Sequence, residues 1–97
     1  MARRFYVISY DVVDDRRRDR LYRLLLDHGD RVQYSVFCCQ LNPRERVRLI
    51  ADIRERIHAK EDQTLVLDAG PVDGAHPTPE LTWIGQPYRP MARCQIV

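Results

Sequence analysis

The chain contains 97 residues, of which 44% are hydrophobic and 31% are charged. This length provides one compact domain with a modest core and excludes a two-domain protein. Because so small a core leaves little room for an enclosed cavity, we expect a functional site on the surface or between subunits. The sequence has no run of about 18 apolar residues that would cross a membrane, and its Met-Ala-Arg-Arg start lacks the apolar core of a signal peptide. We therefore expect a soluble, cytoplasmic protein.

The net charge is only +2, so bulk charge does not identify a nucleic-acid-binding protein. The charge is unevenly distributed, because basic residues concentrate in residues 1–60 whereas residues 61–97 are net acidic. Every basic residue except Lys60 is an arginine, and the planar guanidinium suits bidentate contacts with phosphate. A GC-rich genome also favours arginine codons, so composition alone leaves both explanations open.

The first predicted element is a strand over residues 5–12, Phe-Tyr-Val-Ile-Ser-Tyr-Asp-Val. The segment is β-branched and aromatic with almost no polar alternation, which is typical of a strand covered on both faces. In so small a domain a single layer of helices covers only one face of a sheet. The other face needs a partner, most simply a second copy of the chain, and we therefore expect a homodimer.

A helix is predicted next, over residues 16–27, followed by strand-like sequence over residues 31–41. The helix has apolar residues at helical spacing and ends at His28 and Gly29. Residues 31–41 form either one long strand or two short strands with a break near Tyr34 and Ser35. The sequence leaves this alternative open.

The second predicted helix begins at Asn42 as N-cap and Pro43 as first helical residue, and it runs to about His58. A strand follows over residues 64–69, and a last short strand over residues 80–84. This order predicts an α+β fold, a ferredoxin-like βαββαβ sandwich with an extra C-terminal strand. We assign residues 1–79 to the ferredoxin-like domain and residues 80–97 to a C-terminal strand and tail that pack on the partner subunit.

Asp11 is the first candidate functional residue, at the end of the first predicted strand. Alternation places it on the same face as Val7 and Ser9, where a carboxylate needs pairing, hydration or a metal ion. One Asp binds Mg²⁺ weakly, because the ion prefers about six oxygen ligands. Two Asp11 side chains across a twofold axis would bind it better. Alternatively, Asp11 caps the turn into the first helix.

Three consecutive arginines, Arg16, Arg17 and Arg18, open the first predicted helix. The helix dipole disfavours each cation there by about 0.3–1 kcal/mol, but free backbone N–H groups with added arginine suit phosphate binding. Arg16 and Arg18 are the stronger candidates, because Arg17 should point in a different direction. The same surface would continue through Arg20, Arg23 and Arg31. The alternative is a solvated face neutralised by nearby aspartates.

Aromatic residues and cysteines in residues 31–41 are interpreted as packing residues. Tyr34 and Phe37 stand in strand-like sequence, which favours a place in the core or at a dimer interface over base stacking. The adjacent Cys38 and Cys39 are interpreted as small buried hydrophobes. With Cys94 they make an odd number of cysteines without a Cys-x-x-Cys pair, so neither a disulfide framework nor a zinc site is expected.

Four segments together resemble the second CRISPR-associated protein family. They are Tyr-Val-Ile-Ser-Tyr-Asp-Val at 6–12, Asp-Asp-Arg-Arg-Arg at 14–18, Arg-Val-Gln-Tyr-Ser-Val-Phe at 31–37 and Asn-Pro at 42–43. The motifs occur in the order and separation typical of the family, and the resemblance extends over roughly residues 5–70. The sequence departs from the family at Cys38, where Glu is more usual, so any metal or partner contact made by that Glu is absent here.

The resemblance implies a ferredoxin-like homodimer whose sheets face one another and whose last strand completes the partner's sheet. Here that strand lies within residues 80–84, with Trp83 as its anchor and Ile84 beside it. The resemblance also implies a role in CRISPR adaptation, the acquisition of new spacers. In that role the small subunit binds the duplex DNA backbone and bridges dimers of the integrase subunit, which it contacts through the segment from residue 80 onward.

Some members of the family are metal-dependent endonucleases that act on single-stranded RNA or duplex DNA. The resemblance assigns Asp11 as catalytic residue and metal ligand, with Mg²⁺ shared between the two Asp11 side chains of the dimer. It assigns the nucleic-acid contacts to the first helix, at Arg16, Arg17, Arg18 and Arg20. An alternative hypothesis is a small regulatory or toxin-like ferredoxin-fold dimer without a CRISPR role, since topology alone does not determine function.

Overall fold

The structure, a computed structural model, describes residues 2–73, 79–86 and 95–96. The described elements are β1 (Arg4–Asp11), α1 (Asp15–Leu26), β2 (Gly29–Gln33), β3 (Val36–Leu41), α2 (Pro43–Arg56), β4 (Gln63–Pro71), β5 (Thr82–Trp83) and β6 (Gln95–Ile96). Cys94 and most of the predicted tail lie outside the described residues. Neither helix of the described part is long and apolar enough to span a membrane.

Four strands form one antiparallel sheet in the order β2-β3-β1-β4, and β5 pairs with β6 in a separate parallel pair. The two helices pack on one face of the four-stranded sheet. This is the ferredoxin-like βαββαβ arrangement that the order of predicted elements indicated, with extra strands at the C-terminus. The central strand β1 pairs on both sides, and Asp11 ends it opposite Gln63 of β4.

Local capping explains where both helices begin. The side chain of Asp14 accepts a hydrogen bond from the backbone N–H of Arg17 and starts α1. At α2, Asn42 and Glu45 form a reciprocal capping box, with Pro43 at the first helical position. The prediction that Asn42 and Pro43 open the second helix is confirmed. The helix ends at Arg56, two residues before the predicted end.

The core lies between the helices and the sheet. It contains alternate residues of β1, apolar residues of both helices, and Phe37 and Cys39 of β3. Phe37 and Leu25 are completely buried. The buried residues of α1 follow the helical spacing that was predicted for its apolar residues. Leu26 is the exception, since it remains 43% exposed.

The opposite face of the sheet is only partly covered. Leu81 and Trp83 of the same chain pack over Phe5 and Val32 at one end. At the other end Leu65 and Leu67 of β4 remain 64% and 56% exposed. The chain thus covers part of this face itself, and the expected partner over the remainder stays a prediction. A large apolar area still remains uncovered.

Residues 31–41 form two strands rather than one. The turn at Tyr34 and Ser35 separates β2 from β3, and the Ser35 carbonyl accepts a hydrogen bond from the Tyr10 N–H at 3.1 Å. Gly29 permits the close approach of the two strands, because a Cβ at this position would overlap the Cys38 carbonyl oxygen. The structure thus selects the second of the two alternatives, which the sequence left open because the turn contains neither Gly nor Pro.

Candidate functional site

Asp11 lies at the end of β1 on the face of the sheet that carries no helices. Its side chain is exposed and, among the described residues, makes no hydrogen bond or ion pair. Leu65 lies on the same face in the neighbouring strand, since it pairs with Ser9 two residues before Asp11. The alternative role for Asp11, capping the turn into the first helix, is wrong because Asp14 caps α1.

Metal binding by one chain would depend on Asp11 alone. In the part of the chain that the structure describes, no three His, Cys, Asp or Glu side chains are grouped closely enough to hold a metal ion. Because Mg²⁺ prefers several oxygen ligands, the described residues of a single chain do not form a Mg²⁺ site. They fit such a site only if a second chain contributes its own Asp11.

Arg17 forms hydrogen bonds with acidic residues of its own chain. Its Nε donates to Asp62 Oδ2 at 2.8 Å and its Nη2 donates to Glu61 Oε2 at 3.1 Å. Asp62 has no exposed side-chain area, and it also accepts the backbone N–H groups of Val13 and His58. Arg17 therefore joins the start of α1 to the segment between α2 and β4, as its predicted difference in direction from Arg16 and Arg18 suggested.

The arginine hydrogen bonds to Asp62 hold the pKa of that carboxyl well below its usual range. The backbone N–H donors act in the same direction, whereas burial opposes it. Sequence analysis did not find Asp62, because two of its donor residues, Val13 and Arg17, lie more than 40 residues away along the chain.

Arg16 and Arg20 form an exposed basic pair on α1. They are four residues apart and so lie on the same side of the helix. Both are exposed, and neither forms an ion pair within the described residues. Arg23, which would extend this surface, pairs with Asp19 at 3.0 Å. Among the arginines predicted to bind nucleic acid, Arg16 and Arg20 thus carry the charge most available to a phosphate.

Arg18 lies in an open groove of about 360 Å³ between α1 and the β2–β3 turn. It donates to the Val12 carbonyl at 3.0 Å and pairs with Asp15. The groove is lined by Tyr10, Asp15, Arg18, Asp19, Tyr22, Arg31 and Tyr34. It combines aromatic rings with equal numbers of positive and negative side chains.

Arg31 lies between two tyrosine rings in this groove. Its guanidinium carbon is 4.6 Å from the centre of the Tyr22 ring and 4.9 Å from that of the Tyr34 ring. Its Nε and Nη2 also donate to the Tyr34 carbonyl, at 3.1 and 2.7 Å. Tyr34 is 66% exposed, so of its two expected places the core is wrong, and a place at a dimer interface stays a prediction. Its place at the turn, rather than within a strand, is the reason for its exposure.

Trp83 and Ile84 differ in their surroundings. Trp83 is half-buried and packs against the cluster formed by Phe5, Val32 and Cys38 of its own chain. Ile84 is 87% exposed. Contact of either residue with a partner subunit stays a prediction.

Cys38 and Cys39 are buried as predicted and have free thiols. Burial raises the pKa of the Cys39 thiol to about 12, so the thiolate needed for nucleophilic chemistry is absent at neutral pH. Cys38 packs with Phe5 and Val32 on the face of the sheet away from the helices.

Comparison with known protein families identifies the family to which the chain belongs. The model of the family described as CRISPR associated protein Cas2 matches residues 4–71. The chain belongs to this family. The match includes Asp11, all four arginines of α1 that were predicted to bind nucleic acid, and Tyr34.

Relatives that cover most of the chain support the assignment to the Cas2 family. A Geobacter sulfurreducens protein named CRISPR-associated endoribonuclease Cas2 is 33% identical over 92 residues, which cover 95% of each chain. A Thermus thermophilus protein named CRISPR-associated endonuclease Cas2 2 is 40% identical, over 74% of this chain and 90% of its own. The crystal structure of Streptococcus pyogenes Cas2 at pH 6.5 is similar with a TM-score of 0.61 and 29% identity, over 65% of this chain and 82% of that chain.

Family membership supports a CRISPR-associated role for the chain, and the names of its relatives support nuclease activity within the family. It argues against the alternative of a regulatory or toxin-like dimer without a CRISPR role.

Proposed function

We propose that the chain is a subunit of CRISPR adaptation, the acquisition of new spacers. In this proposal it forms a homodimer, binds the backbone of duplex DNA and bridges dimers of the integrase subunit in the cytoplasm. The observation that carries the proposal is the exposed pair Arg16 and Arg20 on α1, in a chain of a CRISPR-associated family. Backbone contacts of this kind position a duplex without reading its sequence.

Replacing both arginines by alanine, R16A/R20A, is expected to weaken the binding of a labelled duplex DNA. Each lost phosphate contact lowers the slope of log affinity against log salt by about 0.9, so the slope should fall by up to about 1.8 for each chain of the dimer that contacts the duplex. Fluorescence anisotropy between roughly 50 and 200 mM salt measures this slope.

The matched control is R44A/R48A, which removes two exposed arginines at the same spacing from α2. It makes the same change in net charge on the other helix. Equal losses in the two double variants would contradict a binding surface on α1, and salt-independent binding by the wild type would contradict backbone recognition.

The uncovered end of the sheet supports the homodimer in this proposal. Leu65 and Leu67 expose apolar area on the face that also carries Asp11, and a second copy would remove this area from water. A twofold axis through such a face would bring the same residues of both chains together. The predicted contacts of Trp83 and Ile84 with the partner subunit belong to the same proposal.

Introducing charge at this face, L65E/L67E, is expected to convert the dimer to a monomer. Both positions are exposed in the single chain, so each chain should keep its fold. Light scattering coupled to size-exclusion chromatography measures the mass. The control V47E adds charge at an equally exposed apolar residue of α2 and should remain a dimer. A monomeric wild type, or a dimeric L65E/L67E, would contradict the proposal.

A second candidate function is metal-dependent endonuclease activity on single-stranded RNA or duplex DNA. It is favoured by the exposed, unpaired Asp11 carboxylate at the end of β1 and by the nuclease names of the relatives. In this proposal the two Asp11 side chains of the dimer hold Mg²⁺, which when bound stabilises negative charge on phosphate oxygens. The arginines of α1 would contact the substrate backbone.

A further inference from the structure

Tyr34 belongs to a stack of three side chains, each from a different part of the fold. Tyr22 belongs to α1, Arg31 to β2, and Tyr34 to the turn that follows. The guanidinium of Arg31 lies within 5 Å of both ring centres, and its two hydrogen bonds to the Tyr34 carbonyl fix the turn against it. The exposed ring is therefore held in position before any ligand binds.

One face of the Tyr34 ring is occupied by Arg31, and the ring is nevertheless 66% exposed. The opposite face is thus available to a planar group. A nucleobase is such a group, and stacking of bases on aromatic side chains is the usual way in which proteins hold unpaired nucleotides. A base within an intact duplex cannot reach the ring, because both of its faces are already stacked.

The groove beside the ring suits a base rather than a phosphate. Its volume of about 360 Å³ lies within the range of small-molecule sites. Arg18 is paired with Asp15 in this groove, so positive charge there is largely compensated. Aspartate oxygens accept hydrogen bonds from the N–H groups of a base, and the Tyr10 and Tyr22 rings close the apolar side.

We propose that Tyr34 is a stacking platform for an unpaired nucleobase, and that the groove from Tyr34 to Asp15 binds a single-stranded segment of nucleic acid. This inference rests on the proposed nucleic-acid function and names the residue and the groove that would hold a single-stranded ligand. The exposed arginines of α1 would contact the backbone of the same strand or of an adjoining duplex. Tyr34 itself contributes no charge, so its effect is specific to unpaired bases.

The test compares Y34A with Y34F on two ligands. One is a labelled single-stranded RNA oligonucleotide, and the other is a DNA duplex closed by a loop at each end, which offers no unpaired end. Y34A is expected to weaken binding of the single strand about tenfold, the usual loss for one stacked base, and to leave binding of the closed duplex within about twofold. Y34F keeps the ring and should bind both ligands as the wild type does.

A second measurement changes the ligand instead of the protein. Part of the test then uses only the wild-type protein and does not depend on whether the variant folds. A single 2-aminopurine is moved along the single strand, and its fluorescence is quenched where it stacks on a ring. We expect one position to be quenched by the wild type and by Y34F, but not by Y34A. An abasic site at that position should lower wild-type affinity about as much as Y34A does.

Undiminished single-strand binding by Y34A, or equal losses on both ligands, would overturn the stacking platform. In those cases duplex binding by the wild type would still support the wider function. If the wild type binds neither ligand, the proposed nucleic-acid function fails instead, and the two failures are therefore distinguishable.

Discussion

Replacing Asp11 by asparagine is expected to lower Mg²⁺-dependent cleavage of RNA or duplex DNA at least about 100-fold, a typical loss for a group that stabilises transition-state charge. Asparagine is nearly the same size but carries no charge, and it removes a ligand from both halves of a symmetric site. Cleavage of end-labelled single-stranded RNA and short duplex DNA, in Mg²⁺ and in chelator, measures the effect. Because the Asp11 side chain is exposed and makes no hydrogen bond or ion pair among the described residues, D11N should retain the fold and the dimer.

D30N is the matched control for this experiment. Asp30 is also an exposed carboxylate of the four-stranded sheet, but it lies in the edge strand β2, so the variant makes the same change in charge away from β1. Its cleavage should equal that of the wild type. Activity that survives D11N, or that persists in chelator, would show that the cutting does not depend on Asp11. If the wild type does not cut either substrate, the endonuclease proposal fails and the adaptation role stands without it.

Mixing experiments distinguish a shared site from two separate ones. If each Mg²⁺ needs Asp11 from both chains, a heterodimer of wild-type and D11N chains should be nearly as inactive as the D11N homodimer. Half of the wild-type activity in the heterodimer would instead indicate that each chain acts alone. The second result would disagree with the single carboxylate that each chain offers.

The parts of this fold that could be predicted from the sequence are those set by near neighbours along the chain. Asn42, Pro43 and Glu45 start α2 through contacts within a single turn, so their sequence signature is sufficient. Strand alternation likewise placed Asp11 on the face of Val7 and Ser9, and the observed strand pairing agrees. The resemblance of short motifs to a known family then supplied the candidate functions.

Features that depend on distant residues could not be predicted in this way. Tyr34 was expected in the core or at a dimer interface because its neighbours look like a strand, but the chain turns there and leaves the ring on the surface of the single chain. Trp83 covers Phe5 of its own sheet, a contact between the two ends of the chain that no local pattern reveals. Arg17 could be separated from Arg16 and Arg18 by direction, but its partner Asp62 is 45 residues away.

Replacing Asp62 by asparagine is expected to cause the largest loss of stability among these variants. The carboxylate accepts four hydrogen bonds, two from Arg17 and one each from the N–H groups of Val13 and His58. Asparagine has one acceptor oxygen and no charge, so donors of two segments lose their acceptor and Arg17 loses its closest counter-charge. We expect the melting temperature at pH 7 to fall by roughly 5 °C or more. D68N is the control, because the ion pair of Asp68 with Arg4 is about half exposed and such pairs contribute little.

The pH dependence of unfolding tests the same carboxylate independently. The pKa of Asp62 is lowered in the folded protein, chiefly by Arg17, whereas in the unfolded chain it should be about 3.9. Its stabilisation is therefore fully present above about pH 5 and is lost as the pH falls through 4 toward the lower folded pKa. The pKa values of Asp14, Glu45 and Asp68 are lowered too, mainly by backbone hydrogen bonds, so D62N should keep part of the acid sensitivity. Between pH 6 and pH 3 the melting temperature of the wild type should fall more steeply than that of D62N, so that the two curves converge in acid. Parallel curves would mean that the charge of Asp62 does not stabilise the junction between α1 and the segment before β4.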